Sequence, residues 1–400
     1  MKLSFFKTWS KQQTDDLDEI IDTPSPQFLI TKNHGKLFDL SSISFQCSFG
    51  LKNKQIEEEI KKQIKKISVS TPSFKTKLQE EVSKELLKLI KLNGKLFFTT
   101  SGSESVANAI KIARQATNKK IILSLKKSYH GSINEALEAT GDWRRNNNPL
   151  PKHHHRWLPS PEIDPFFKQA EIIIERIKDD CCAIILEPIS GKNGVHTPPK
   201  SWWTGLENAR KKYGFKVIFD EVVCGFFRTG KAFGFKYTTV TPDLICMAKA
   251  ISGGFIPFGA VFVSSKLANK FQSKTLSAGL TNYAHPLGLA SLRAVLKIVN
   301  SSSFKERLKE NLTNIKKFAS KLSQKFEVRQ HGLLMAIELK IDVNKKLFLE
   351  NGFHIIINEN VLILSPHLNC PPSILNFQLN RLQDLLLQIS DDNYVLKKTG

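Results

Sequence analysis

What this chain lacks narrows the field first. Nowhere in its 400 residues does an apolar run approach 18 positions, so no segment reads as a membrane-spanning helix. The opening Met1-Lys2-Leu3-Ser4-Phe5-Phe6-Lys7 has two lysines but no apolar stretch of signal-peptide length. Six cysteines occur (Cys47, Cys181, Cys182, Cys224, Cys246 and Cys370), and none stands in Cys-x-x-Cys spacing. Most lie in apolar, strand-like runs, where cysteine acts as a small buried hydrophobe, so a reduced, cytoplasmic protein is expected. Internal repeats and low-complexity linkers are missing. No Lys/Arg run reaches five, although Lys and Arg outnumber Asp and Glu by 59 to 37 and the formal charge is +22. The densest basic piece, 52–66, alternates lysines with Ile56, Ile60, Ile64 and Glu57-Glu58-Glu59, the pattern of an amphipathic helix with a solvated face. A lysine-rich surface is therefore expected rather than a nucleic-acid groove. Steeply salt-dependent duplex binding is the mark of that rival class.

What is present is a long alternation of strand and helix patterns. With 41% hydrophobic residues, the chain can build a large core and a smaller second domain. Between about 35 and 300, strand-like runs (Lys95 to Phe98, Ile121 to Leu125, Ala183 to Leu186, Lys216 to Phe219, Gly259 to Val263) alternate with helical patterns. That order predicts an α/β fold, a mainly parallel sheet covered on both faces. After Ser301-Ser302-Ser303, Phe304, Leu308, Leu312, Ile315, Ala319 and Leu322 recur at helical spacing. Strand-like Leu333 to Leu339 and Val361 to Leu364 follow, then a helix around Leu375 to Leu387. The expected organisation is an irregular arm over 1–34, a large domain over 35–300 and a small α+β domain over 301–400.

Two strand ends carry the chemistry. The run Lys216 to Phe219 ends in Asp220-Glu221, and Leu244 to Ala248 ends in Lys249 before Ser252-Gly253-Gly254. Lys249 lies 29 residues beyond Asp220. Strand carboxyl ends are where α/β folds open ligand crevices. An amine and an acid placed there suit pyridoxal phosphate: the lysine takes the aldehyde, and the acid keeps the pyridine nitrogen protonated. Upstream, the strand ending at Phe98 turns through Ser101-Gly102-Ser103-Glu104 into a helix bearing Ala109-Ile110-Lys111-Ile112-Ala113-Arg114. Small residues at such a turn cap a helix or close backbone N–H groups on a phosphate. Ser128-Tyr129-His130-Gly131 follows a second strand, and Leu186-Glu187-Pro188-Ile189, with Gly191 and Gly194 beyond, follows a third.

In this order and spacing the motifs resemble those of the class-III aminotransferases, pyridoxal-phosphate enzymes of fold type I. The resemblance runs from Gly35-Lys36-Leu37-Phe38-Asp39 to about Leu368 and includes Val328 to Leu334. It implies a seven-stranded-type sheet in a large cofactor domain with a smaller C-terminal domain. It also implies that Lys249 and Asp220 are catalytic, and that Gly102 and Ser103 hold the cofactor phosphate. By the same resemblance Tyr129 stacks on the ring beside His130 and Glu187 borders the site; Val222, two residues past Asp220 and so on the same side of an extended chain, is placed to pack on the opposite face. Gly279 to Leu287 matches a stretch in which a threonine, here Thr281, reaches the phosphate of the neighbouring subunit; a homodimer follows. Val223 stands where many members carry Gln, and Ala284-His285 replace Gly-Asn. No metal is expected, and His153-His154-His155 reads as a loop without the spacing of a metal cage.

The activity implied is ping-pong transfer of an amino group from an amine donor to a carbonyl acceptor. Family members acting on amino acids carry an arginine near the C-terminus that clamps a carboxylate. No arginine occurs in Ile355 to Leu368, so an apolar wall at Ile356 and Ile363 is expected, favouring amine or ω-amino donors. Arg144 and Arg228 are the candidates to substitute for the clamp. Within the fold, an aminomutase of the glutamate-semialdehyde type is the alternative.

Overall fold

In a computed structural model of the chain, the structure describes residues 4–13, 17–148, 154–341 and 343–390. The first strands are β1 (Ile20–Ser25), β2 (Phe28–Thr31) and β3 (Gly35–Asp39). The central ones are β4 (Gly94–Thr99), β5 (Ile121–Leu125), β6 (His155–Leu158), β7 (Cys181–Leu186), β8 (Lys216–Asp220), β9 (Leu244–Met247) and β10 (Gly259–Ser264). The last are β11 (Glu327–His331), β12 (Leu334–Glu338), β13 (Phe353–His354), β14 (Ile356–Asn358) and β15 (Val361–Leu364).

The seven central strands form one sheet in the order β4-β10-β9-β8-β7-β5-β6. β6, β5, β7, β8 and β9 pair in parallel, and β10 runs antiparallel between β9 and β4. This is the expected α/β architecture. Both faces are covered because successive strand residues point to opposite sides. Ala183, Ile185, Ile218 and Cys246 pack against Val106, Ile110 and Ala113 of the helix Gly102–Thr117. Ile184, Val217, Phe219 and Ile245 face the other way, into a core with Trp202, Trp203 and Leu206 of the helix Lys200–Tyr213. Strands buried on both faces read as continuous apolar runs, which is why the sequence displays them so plainly.

The C-terminal region has its own four-stranded antiparallel sheet, β11-β12-β15-β14, with the helices Ser302–Leu322 and Pro372–Ser390. The final ten positions of the expected small domain lie outside the described residues. Five cysteines are buried and Cys47 is half-buried, all as free thiols.

Two expectations are corrected. The arm is not irregular: β1 and β2 pair antiparallel, β2 continues onto β3, and β3 pairs in parallel with β13 from the C-terminal region. Its short, polar-interrupted strands hide this, and the strand that closes the sheet, β13, lies more than 300 residues from β3. The histidine triple is not simply a loop either. His153 lies outside the described residues, but His155 opens the edge strand β6 and is buried. Its Nε2–H donates to Ser124 Oγ at 2.8 Å, and its ring meets Trp157 edge-on. Burial, reinforced by the charge of Arg145, pushes its pKa down to about 3.

Candidate active site

A cavity of about 630 Å³ opens at the carboxyl ends of β4, β5, β7, β8 and β9. Each strand delivers one segment: Thr100 to Ser103 after β4, Tyr129 to Gly131 after β5, Glu187 at the end of β7, Asp220 at the end of β8, and Lys249 after β9. Parallel strands present their ends on one edge, so five distant motifs converge.

The turn after β4 is fixed by reciprocal capping. Glu104 N–H donates to Ser101 Oγ at 3.2 Å, while Glu104 Oε2 accepts from Thr100 N–H at 2.8 Å and Thr100 Oγ at 2.7 Å. Gly102 and Ser103 thus begin the helix Gly102–Thr117 at the cavity wall. A Cβ on Gly102 would lie 3.2 Å from Val222 Cγ1, so glycine keeps the slot open.

Asp220 is 4% exposed. His130 Nδ1–H donates to its Oδ2 at 2.8 Å, and Val222 N–H donates to its Oδ1 at 3.1 Å. His130 Nε2 is buried without a hydrogen-bond partner among the described residues. Glu221, the other half of the acidic pair, points away: it accepts from Gly234 N–H at 2.8 Å and Phe235 N–H at 2.6 Å. Burial raises its carboxyl to about 7, against those two N–H groups. Glu187 accepts from Gly191 N–H at 3.1 Å and is likewise raised to about 7, by burial and then by the like charge of Asp220.

Lys249 adopts φ +49°, a left-handed conformation that is strained for any residue with a Cβ. That turn, opening the 3-10 helix Lys249–Ser252, lets its side chain line the cavity, with Nζ 5.1 Å from the centre of the Phe45 ring. Burial lowers its pKa, opposed by the charges of Asp220 and Glu187.

Of the residues named from sequence, Gly102, Ser103, Tyr129, His130, Glu187, Asp220, Val222 and Lys249 all border this one cavity. Thr281 does not; it is exposed on the chain's surface. Ile356 and its neighbour Ile357 line the cavity, whereas Ile363, paired to Ile356 across β14–β15, is buried behind them. Arg228 is eliminated as a clamp. It is 1% exposed, and its guanidinium donates to the carbonyls of Pro366 at 2.6 Å and Leu333 at 3.4 Å and to the hydroxyls of Ser42 and Ser48. Arg144 does line the cavity. Sequence reasoning missed Trp9, Phe45, Lys192 and Phe258, which also line it. None sits in a strand-end motif; only the glycines flanking Lys192 gave a signal.

The class-III aminotransferase family model matches residues 15–384. The chain belongs to the class-III aminotransferases. Acetylornithine aminotransferase of Methanocaldococcus jannaschii is 29% identical, over 91% of this chain and 94% of that protein. Gamma aminobutyrate transaminase 2 of Solanum lycopersicum is 31% identical, over 80% and 74%. Among solved structures, taurine:2-oxoglutarate aminotransferase from Bifidobacterium kashiwanohense, in complex with PLP and glutamate, superposes with a TM-score of 0.88 at 26% identity, covering 96% of each chain. An omega-aminotransferase from Paracoccus denitrificans, at 21% identity and a TM-score of 0.89 over 98% of each chain, shares the fold.

As a class-III aminotransferase the protein is a pyridoxal-phosphate enzyme. The site's own features fit that cofactor. Asp220 is buried with acceptor capacity left over, His130 Nε2 is unpartnered, Lys249 is desolvated, and Gly102 leaves a slot beside Val222.

Proposed function

We propose that the cavity binds pyridoxal phosphate at Lys249 and moves an amino group from a primary amine or ω-amino donor to a keto-acid acceptor in two half-reactions. The observation carrying this reading is a desolvated lysine in a left-handed turn, sharing one cavity with a buried aspartate whose carboxylate is only partly engaged. When bound, the cofactor supplies an electron-withdrawing ring through which the amino group is exchanged.

The chain's own residues set up that exchange. Burial favours the neutral form of the Lys249 Nζ amine, which makes it a nucleophile and then a carrier for the proton at the substrate carbon. The Asp220 carboxylate, oriented by His130 and by Val222 N–H, keeps a proton on the pyridine nitrogen. Tyr129 and Val222 would hold the cofactor's ring, and Gly102 and Ser103 would hold its phosphate at the helix N-terminus, where the first-turn field favours anions. Glu187 closes the wall beside Asp220. Thr281, exposed on its own subunit, completes the neighbour's phosphate site in a homodimer, which makes the contact reciprocal. Residues 35–300 serve as the cofactor domain, 301–400 as the small domain and 1–34 as the arm, in a cytoplasmic enzyme.

The apolar surface of Ile356 and Ile357 disfavours a carboxylate next to the reacting carbon, since burying it unpaired costs several kcal/mol. Glutamate is therefore expected to be a slow donor and an uncharged primary amine a fast one. Matching relatives named as transaminases speak against the aminomutase reading.

Borohydride reduction of the cofactor-loaded enzyme, followed by peptide mapping, is expected to place the label on Lys249. A label on another lysine rejects the assignment. Light scattering is expected to give a dimer, and a stable, active monomer overturns the role of Thr281.

A further inference from the structure

Besides its apolar lining the cavity carries charge that the exchange chemistry does not use. Arg144 is 6% exposed, and its guanidinium lies 4.6 Å from the centre of the Tyr129 ring, 4.7 Å from Trp9 and 4.9 Å from Trp143. Asp142 pairs with its Nη1, and its Nε is buried without a partner among the described residues. Lys192, on the loop after β7, brings Nζ to 5.6 Å from the same Tyr129 ring. It is half-buried and has no carboxylate partner among the described residues. Two cations thus share one carboxylate on this wall.

We propose that Arg144 and Lys192 form an anion subsite that holds the carboxylate of an ω-amino acid substrate while its amine is presented to Lys249. The proposal rests on the aminotransferase reading above and extends it to residues outside the family motifs.

Three physical points support it. A half-buried ammonium that must share Asp142 with Arg144 is only partly neutralised, so an incoming carboxylate supplies the counter-charge this wall lacks. Burial, and then repulsion from Arg144, bring Lys192 down to about 8, which an added negative charge reverses. Asp142 and the stacked rings hold Arg144 in place, so little side-chain freedom is lost when a ligand arrives. The apolar part of the lining, Phe45, Phe258, Ile356 and Ile357, offers the substrate no charged side-chain donor.

The test compares two donors of equal chain length, 4-aminobutanoate and butylamine, in single half-reactions of the holoenzyme. Lys192→Ala and Arg144→Gln are each expected to lower the ratio of kcat/KM for the acid over the amine about tenfold or more, mainly through KM. In the unmodified enzyme that ratio is expected to fall as pH rises through about 8, as Lys192 loses its proton. Lys192→Arg, charged throughout, keeps the ratio and flattens the pH profile. Calorimetric titration with succinate reads the same subsite without turnover. An unchanged ratio and unchanged succinate affinity in both variants overturn the proposal. So does weakened pyridoxal-phosphate binding with the ratio intact, which assigns the cations to the cofactor. Failure of the aminotransferase reading shows separately, as absence of the borohydride label on Lys249.

Discussion

Two aspartates end two strands in nearly the same words, Leu37-Phe38-Asp39 closing β3 and Ile218-Phe219-Asp220 closing β8. Each is buried and each takes a hydrogen bond from a histidine Nδ1–H. Their surroundings differ in completeness. Asp39 accepts from Ser41 N–H and Oγ–H, from Ile43 N–H and from His354, and His367 Nε2 lies 3.1 Å from its other oxygen. Burial alone would raise its pKa, but the bonds and charges of His354 and His367 hold it well below the usual carboxylate range. Asp220 takes two hydrogen bonds and faces a cavity. A carboxylate has about four acceptor sites, so the first is saturated and the second is not.

The saturated cluster also shapes the open one. Ser42, Ile43, Ser44 and Phe45 are all left-handed, with φ between +45° and +72°, a conformation that costs about 1–2 kcal/mol per residue. Asp39 holds the start of this turn, and Arg228 binds Ser42 and Ser48 from beneath. The turn ends by placing Phe45 against Lys249 Nζ. Structural completeness in one cluster positions a wall of the other.

If the comparison holds, Asp39→Ala produces the largest change, a stability loss of about 3–5 kcal/mol in thermal or denaturant unfolding, because Ser41, Ile43 and His354 lose the buried carboxylate that accepts their hydrogen bonds. Asp220→Asn comes next and reverses the pattern. The melting temperature is expected to stay close to that of the parent while turnover falls about 10²-fold or more, equivalent to about 2.7 kcal/mol, since an amide cannot keep the pyridine nitrogen protonated. Near-parental turnover in Asp220→Asn would place both aspartates in the structural class. The smallest effect is a control, His155, a buried histidine bonded to a neutral hydroxyl. Its pKa is about 3 in the folded chain against an ordinary 6.5, so the unfolded state takes up the proton first. Stability from this group is therefore present above pH 6.5 and lost as pH falls toward 3. The melting temperature of the parent is expected to drop more between pH 7 and pH 5 than that of His155→Gln. Equal drops rule the linkage out.

The strands, their order of chemistry and the Asp220–Lys249 spacing were legible in the sequence because they are local. A doubly buried strand is a continuous apolar run, and its end is marked by the first polar residue. Parallel pairing then brings the marked ends together without further instruction. The two aspartates defeat that kind of reading, since Phe-Asp at a strand end looks alike in both. What separates them is the partner: His354, 315 positions away, and His130, 90 positions away. Arg228 and Arg144 were equal candidates in sequence, and only packing engaged one with carbonyls and left the other facing the cavity. The sequence by itself determined which segments end at the site. The tertiary structure decided which charges are satisfied there, because satisfaction depends on groups that chain folding brings within about 3 Å.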